Sequence, residues 1–317
     1  MRPVATGREG AYVTTEHLVA LEANARDLRF VQRAKSHQQL AGRTQSSMRG
    51  RGLIFEELRD YLPGDDVRSI DWRVTARTGT PTIRVYGEEK ERPALLLVDQ
   101  RINMFFGSRR SLKSVTAAEA AMLCAWRILG SGDRIGGLVF GDDGTSELRP
   151  HRSRNSVIAL ADCIARKNAA LAANSTISPS HEALDEALHT TANIARHDHL
   201  IIVISDFDGH GSTTRDLLLK LTASNDVICL LVYDPFLLEL PKAGEIVISG
   251  GALQAELALG RGGARGAIDK FAQDRGHKLR AWQRELGLPM LPVSAAEETA
   301  PQLRRLLEQS TFRQRRR

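Results

Sequence analysis

Ala94-Leu-Leu-Leu-Val-Asp99 and Leu200-Ile-Ile-Val-Ile-Ser-Asp206 are unbroken apolar runs that each stop at an aspartate. A run with no polar face reads as a strand covered on both sides, as in a parallel sheet flanked by helices. Arg134–Phe140, Val227–Tyr233 and the shorter Met290–Val293 fit the same sheet, with Ser146–Pro150 as a weaker strand. Between them the apolar positions recur every three to four residues. Val115, Ala118, Met122, Ala125 and Leu129 form one such stripe, ended by Gly130–Gly132. Further helices are predicted near Asn155–Arg166, His181–Arg196, Ser212–Ser224, Gly266–Leu286 and Pro301–Gln309. Strands alternating with helices predict an α/β fold: a doubly wound, mostly parallel sheet of Rossmann type with helices on both faces.

Two regions depart from this rhythm. From Thr14 to His37 the positions Leu18, Leu21, Ala25, Leu28 and Val31 define an amphipathic helix, followed by a basic link, Ala41–Gly52. Leu53–Leu58 and Thr82–Tyr86 read as strands, and Ile246–Ile248 with Leu253–Leu259 as a hairpin inserted between a strand and a helix. The expected organisation is therefore residues 1–92, an N-terminal helix plus a β-rich region, and residues 93–317, the α/β domain with an inserted hairpin at 245–259. An isolated two-stranded hairpin is marginal, so both strand pairs are expected to join in one small β-subdomain.

Composition narrows the function. The net charge of +6 is concentrated at the ends. Residues 1–53 hold nine Lys/Arg against four Asp/Glu, and Arg313–Arg317 adds four positives, which leaves the central domain slightly acidic. Basic ends suit an acidic partner, a nucleic acid or a membrane surface without selecting among them. Aromatics are scarce there, so no specific nucleic-acid readout is expected. Cys124, Cys163 and Cys229 lie far apart among apolar neighbours, which predicts reduced core thiols rather than a disulfide or zinc framework. No apolar run approaches the roughly 20 residues of a membrane span, and Met1–Gly10 lacks a secretory apolar stretch, so a cytoplasmic location is expected.

In such a sheet ligands bind beyond the carboxyl ends of the strands, where Asp99 and Asp206 stand, with Asp208 close behind. Two carboxylates converging on one rim repel unless a positive charge lies between them. The plainer alternative is that each caps the following helix.

Here a resemblance enters. Leu95-Leu-Leu-Val-Asp-Gln-Arg-Ile-Asn-Met104 resembles the segment where von Willebrand factor A-type (vWA-type) domains carry Asp-x-Ser-x-Ser, and Ile204-Ser-Asp-Phe207 resembles their later aspartate strand end. Phe55-Glu-Glu-Leu-Arg-Asp-Tyr-Leu-Pro-Gly-Asp-Asp-Val-Arg-Ser-Ile-Asp-Trp72 with Thr75-Ala-Arg77 closely resembles the signature of the bacterial family called domain of unknown function fifty-eight. The signature covers about Arg51–Glu91 and the vWA-like pattern most of Pro93–Gln309. The resemblance implies a vWA-like fold and a non-enzymatic adaptor that works with a MoxR-type AAA+ ATPase on an unknown protein client, in the assembly or maturation of complexes. It also implies a metal-ion-dependent adhesion site, but an altered one. Where the family has two metal-binding serines this chain has Arg101 and Asn103, and a guanidinium offers no oxygen ligand. Thr176 or Ser178 best matches the family's threonine. Arg101 is expected either to take the cation's place between Asp99 and Asp206 or to point to solvent. No cofactor is expected, and Mg²⁺ would bind only if the altered site stayed competent. Phe105 and Phe106, with Asp208, are the candidate interface residues.

Other readings compete. Asp65, Asp66 and Asp71 of the Pro63-Gly64-Asp-Asp-Val-Arg68-Ser-Ile-Asp-Trp72 block could hold a metal in a hydrolase. Alternatively they close a turn, with Arg68 paired to Asp71 and Trp72 packing as an anchor. Gly260-Arg-Gly-Gly-Ala-Arg-Gly266 lacks phosphate-loop spacing and reads as a connector. No nucleophile–base pair and no His-Glu-x-x-His is present.

Overall fold

The computed structural model describes residues 10–28, 53–88, 92–172, 178–237, 245–249, 254–258 and 264–314. Thr176, the basic link 41–52, most of the Gly260–Gly266 connector and the last three arginines lie outside the described residues.

The elements run in chain order as α1 (Thr15–Ala20), α2 (Glu22–Ala25), β1 (Leu53–Asp60), α3 (Trp72–Thr78), β2 (Thr82–Glu88), β3 (Ala94–Asp99), α4 (Lys113–Gly130), β4 (Ile135–Gly141), β5 (Gly144–His151) and α5 (Arg154–Ala169). They continue as α6 (Ala183–Ile194), β6 (Leu200–Ser205), α7 (Ser212–Ser224), β7 (Asp226–Tyr233), β8 (Glu245–Ser249), β9 (Gln254–Ala258), α8 (Ala264–Glu285), β10 (Met290–Ser294) and α9 (Thr299–Gln314). The chain divides into two compact units, Arg33–Glu91 and the remainder.

The larger unit is α/β. Its six-stranded sheet has the order β10-β7-β6-β3-β4-β5, with every neighbour parallel except β5, which turns back antiparallel on β4. Alternation within β3 divides the core between the two faces. Leu96 and Val98 pack with α4, α5 and α9, whereas Leu95 and Leu97 pack with α6, α7 and α8.

Helix α4 is apolar almost all round, as a helix covered on more than one side must be. One side meets β3, and the N-terminal helices cover another. The expected long helix is described only as far as Leu28 and is broken into α1 and α2 at Leu21. It docks through Leu18, Ala25 and Leu28, all essentially inaccessible, and the Trp126 Nε1–H donates to the Leu18 carbonyl at 3.3 Å. The first segment thus belongs with the α/β unit and not with the signature region that follows it, because its apolar face completes the cover of α4.

Glu119, a nearly buried acid in α4, ties both chain ends to that helix. It accepts from His17 Nε2 at 2.9 Å and from Thr299 Oγ1 at 2.5 Å. Burial pushes the Glu119 carboxyl up, but the hydrogen bonds from His17 and Thr299 outweigh it and hold it below its usual value. The bond to Glu119 in turn raises the His17 imidazole above its usual value, against partial burial and the Arg110 charge.

The smaller unit holds β1 and β2, paired antiparallel, with α3 between them in sequence. The β8–β9 hairpin forms a separate two-stranded sheet and falls in the larger unit, and no ladder among the described residues joins it to β1 and β2 as the expected β-subdomain would require. Each hairpin satisfies its ladder internally, and nothing in their sequences specifies a shared edge.

A raised imidazole stabilises the fold fully below its unfolded value of 6.5, and that stability is lost as pH rises through the higher folded value. His17 is half exposed, so the effect is small. The melting temperature is expected to fall by about 2 °C between pH 6 and pH 8, a slope that disappears in His17→Ala. Leu18→Ala is expected to cost about 2–4 kcal/mol by urea unfolding; a loss near zero would mean that the N-terminal helix does not complete the core.

Candidate functional site

Register brings the two aspartates together. Val98 pairs with Ile204 in the parallel β3–β6 ladder, so Asp99 falls level with Ser205 and Asp206 follows one step beyond. Asp99 is fully buried, Arg101 is 2% exposed and Asp206 is 4% exposed, so the strands deliver their charges into a rim that is closed to water.

Arg101 lies on Asp99. Its backbone N–H and its Nε each donate to Asp99 Oδ1 at 3.0 Å, and its Nη2 donates to Oδ2 at 2.7 Å. The same Nη2 stands 4.0 Å from Asp206 Oδ1, while Nη1 donates to the carbonyls of Ser180 and Asp208. The Phe140 ring lies under the guanidinium, 5.6 Å from ring centroid to Cζ. Burial works against the charge on Arg101, but Asp99, its hydrogen bonds, Asp206 and Asp208 prevail and push it above its usual value. A solvent-facing Arg101 is thus excluded.

Asp206 is held by different groups. Asn103 Nδ2 donates to Oδ1 at 2.8 Å, the Asp208 N–H donates to the same oxygen at 2.9 Å, and Lys113 Nζ donates to Oδ2 at 2.5 Å. Ser205 Oγ donates to Asp99 Oδ2 at 2.6 Å and accepts from the Phe207 N–H at 2.8 Å. Phe207 holds a left-handed backbone at φ 57° with its ring fully buried, at a conformational cost of roughly 1 kcal/mol.

The Arg101–Phe106 loop is fixed at further points. Asp142 accepts from the N–H of Ile102 at 2.6 Å and of Ser180 at 2.7 Å. Buried Asp234 accepts from the N–H and Oγ of Ser108 and from the N–H of Phe236. Phe105 is half-buried beside Tyr12, whereas Phe106 is 39% exposed and lies 6.2 Å from the Phe236 ring. Ser178 is exposed, and Thr176 is outside the described residues.

Sequence reasoning missed Lys113, Ser205, Asp142 and Asp234. One signal was available for Lys113. It opens α4, where the helix dipole disfavours a cation, and no acid in the first turn compensates it. A lysine so placed needs a carboxylate from elsewhere, and Asp206 supplies it.

In the smaller unit the signature carboxylates serve the backbone. Asp65 takes a bidentate contact from Arg59 at 2.8 and 2.9 Å and the Leu62 N–H at 2.8 Å, following the Pro63-Gly64 turn at φ 110° for Gly64. Asp66 caps the turn at Val67–Ser69, and Asp71 caps α3 through the N–H groups of Arg73 and Val74. Two expectations are corrected here. Asp71 pairs with Arg84, Nε at 2.7 Å, and not with Arg68, because the isolated Ile70–Ile83 bridge sets Asp71 beside β2. Trp72 is 65% exposed and so does not pack as an anchor: it opens α3, a helix with no buried residue, directly after the Asp71 cap. The arginine hydrogen bonds hold Asp65 and Asp71 below the usual carboxylate range. No group of three or more His, Cys, Asp or Glu arranged to hold a metal occurs among the described residues.

What the fold and site define is an α/β protein with a charge-neutralised rim at the ends of its two central strands. Residues 57–277 match the family model described as protein of unknown function DUF58, and the chain belongs to that family. Its relatives include the uncharacterized protein Rv1480 of Mycobacterium tuberculosis and the uncharacterized protein Mb1516 of Mycobacterium bovis. Each is 30% identical over 199 residues, 63% of this chain and 61% of the relative's own length. The crystal structure of the conserved hypothetical protein BatB from Bacteroides thetaiotaomicron aligns with a TM-score of 0.39 and 13% identity, over 70% of this chain and 99% of that one. At that score the likeness fixes neither fold family nor function. No helix among the described residues is long and apolar enough to cross a membrane.

Removing one partner from a buried ion pair leaves an uncompensated charge, so Arg101→Ala is expected to destabilise the protein by about 3–5 kcal/mol in urea unfolding. Ser205→Ala, which removes one hydrogen bond to Asp99, is expected to cost about 1–2 kcal/mol. Equal and small losses for both would show that the guanidinium does not neutralise the rim. A depressed carboxylate stabilises above its unfolded value and loses that contribution as pH falls through the folded one. The smaller unit is therefore expected to loosen below the ordinary Asp value of 3.8, with Asp71→Asn removing part of the transition. Tryptophan fluorescence as a function of pH reads this directly.

Proposed function

We propose that this chain is a non-enzymatic adaptor: a vWA-like, doubly wound domain whose metal site has been replaced by a tethered cation, working with a MoxR-type AAA+ ATPase in the assembly or maturation of a protein complex. The observation that carries this reading is the buried Arg101 guanidinium on Asp99. A vWA-type site would need the Asp99 and Asp206 oxygens and two hydroxyls for a divalent ion. Here Arg101 and Lys113 occupy those oxygens, and Asn103 turns an N–H toward Asp206, so the donor set does not fit the ion.

The same residues argue against chemistry at the rim. Asp99 and Asp206 are each engaged by N–H or O–H donors, and the one hydroxyl on Asp99 among the described residues, that of Ser205, is fully buried and directed at the carboxylate that Arg101 already neutralises. What the loop offers outward is Phe106, exposed and backed by the half-buried Phe236 ring, which suits protein contact. The energy for remodelling a client would come from the ATPase, with this chain as the docking element.

Binding of a purified MoxR-type ATPase from the same organism tests this. Complex formation is expected to be unchanged by EDTA and weakened about tenfold by Phe106→Ala. Loss of the complex in EDTA, or full binding by Phe106→Ala, would contradict the proposal.

A further inference from the structure

The DUF58 signature turn spends its carboxylates internally, and what it presents outward is of another kind. Leu62 is 59% exposed, Val67 54% and Trp72 65%, all within one eleven-residue stretch. Large apolar side chains this exposed are costly to leave in water, and a tryptophan among them is the residue type most enriched at protein-binding hot spots. The turn is also well built. Asp65 fixes Leu62 through its backbone N–H, Asp66 caps the Val67–Ser69 turn, and Asp71 caps the helix that starts at Trp72. The three apolar residues are therefore carried on a braced backbone, which lowers the ordering cost of binding.

Charge indicates the partner. Arg59 and Arg84 are paired with Asp65 and Asp71, but exposed Arg68, Arg73 and Arg77 have no acidic partner among the described residues. Along α3, Trp72 and Ala76 lie one turn apart on one line, with Arg73 and Arg77 on the next. A tryptophan beside two guanidinium groups that have no acidic partner among the described residues matches apolar anchors interleaved with carboxylates, which arginine binds bidentately.

We propose that this braced turn, with α3, is a second docking surface for a protein segment carrying Glu or Asp among apolar residues. An anionic bilayer fits less well. Asp60 and Asp66 are exposed on the same stretch of chain and would be driven against a negative surface, whereas a folded or extended peptide can place a single cation opposite them.

The full chain, fluorescently labelled, is applied to an array of synthetic peptides in which Leu or Trp alternates with Glu at varied spacing, and to a matched array with Lys in place of Glu. Retention on the Glu peptides alone is expected. Affinity should fall about tenfold in Trp72→Ala and in the Arg73→Glu/Arg77→Glu pair, recover in Trp72→Phe and stay unchanged in Phe106→Ala. Circular dichroism verifies that the variants fold, as the exposure of all three residues leads one to expect. Absence of retention on the Glu array, equal retention on the Lys array, or indifference to Trp72→Ala would each overturn the proposal. Binding to phosphatidylserine vesicles instead, or a sedimentation shift from self-association that Trp72→Ala abolishes, would overturn it in favour of a lipid surface or a second copy of the chain.

Discussion

Two adjacent parallel strands that each end in aspartate set the terms for the larger unit. The β3–β6 register places Asp99 and Asp206 one step apart at the same edge of the sheet, both nearly inaccessible. Their mutual repulsion grows as water is excluded, so the fold exists only if positive charge enters with them. Arg101 and Lys113 provide it as two tethered cations, each directed at a different carboxylate. A buried ion pair adds little net stability compared with an apolar pair of the same volume, but it penalises every arrangement in which one partner is missing. Its effect is to fix where the loop goes.

That constraint spreads outward. With Arg101 pinned by Asp99 and by the carbonyls of Ser180 and Asp208, the loops after β3 and β6 and the segment before α6 share one anchor. Asp142 and Asp234 add backbone amide contacts at either side, and Ser205 supports the left-handed turn at Phe207. The strain at Phe207 is held by ring burial and by a hydroxyl that serves Asp99 at the same time. Phe106 therefore projects from a loop with few alternatives, a favourable property for a contact residue.

Much of this was legible in the sequence. Apolar runs ending at Asp99 and Asp206 identified the central strands and the rim, and the 3.6-residue periodicity located the helices around them. Arg101 stands out in the sequence as a cation two residues after a strand-end aspartate, and the fold buries it on that aspartate. Long-range pairings were less accessible. Asp71 has arginines three residues before it, two after it and thirteen after it, and Arg84 is brought to it by the Ile70–Ile83 bridge and the Asp71 N–H bond to the Thr82 carbonyl. Trp72 illustrates the opposite error: its size argues for packing, yet α3, which it opens, buries none of its residues. The two hairpins read alike because alternation specifies a strand and not its neighbour, and the N-terminal helix was grouped with the residues that follow it in sequence rather than with α4, which it covers.

We propose that the Arg101 guanidinium stands in for a divalent ion, and isothermal titration of the unaltered protein with Mg²⁺ and Mn²⁺ tests this most directly. No saturable heat is expected at millimolar metal, whereas the Arg101→Ser/Asn103→Ser variant, which returns two hydroxyls beside Asp99 and Asp206, is expected to gain a weak site. One-to-one binding by the unaltered protein, abolished in Asp99→Ala, would contradict the account and mean that the rim is a working metal centre.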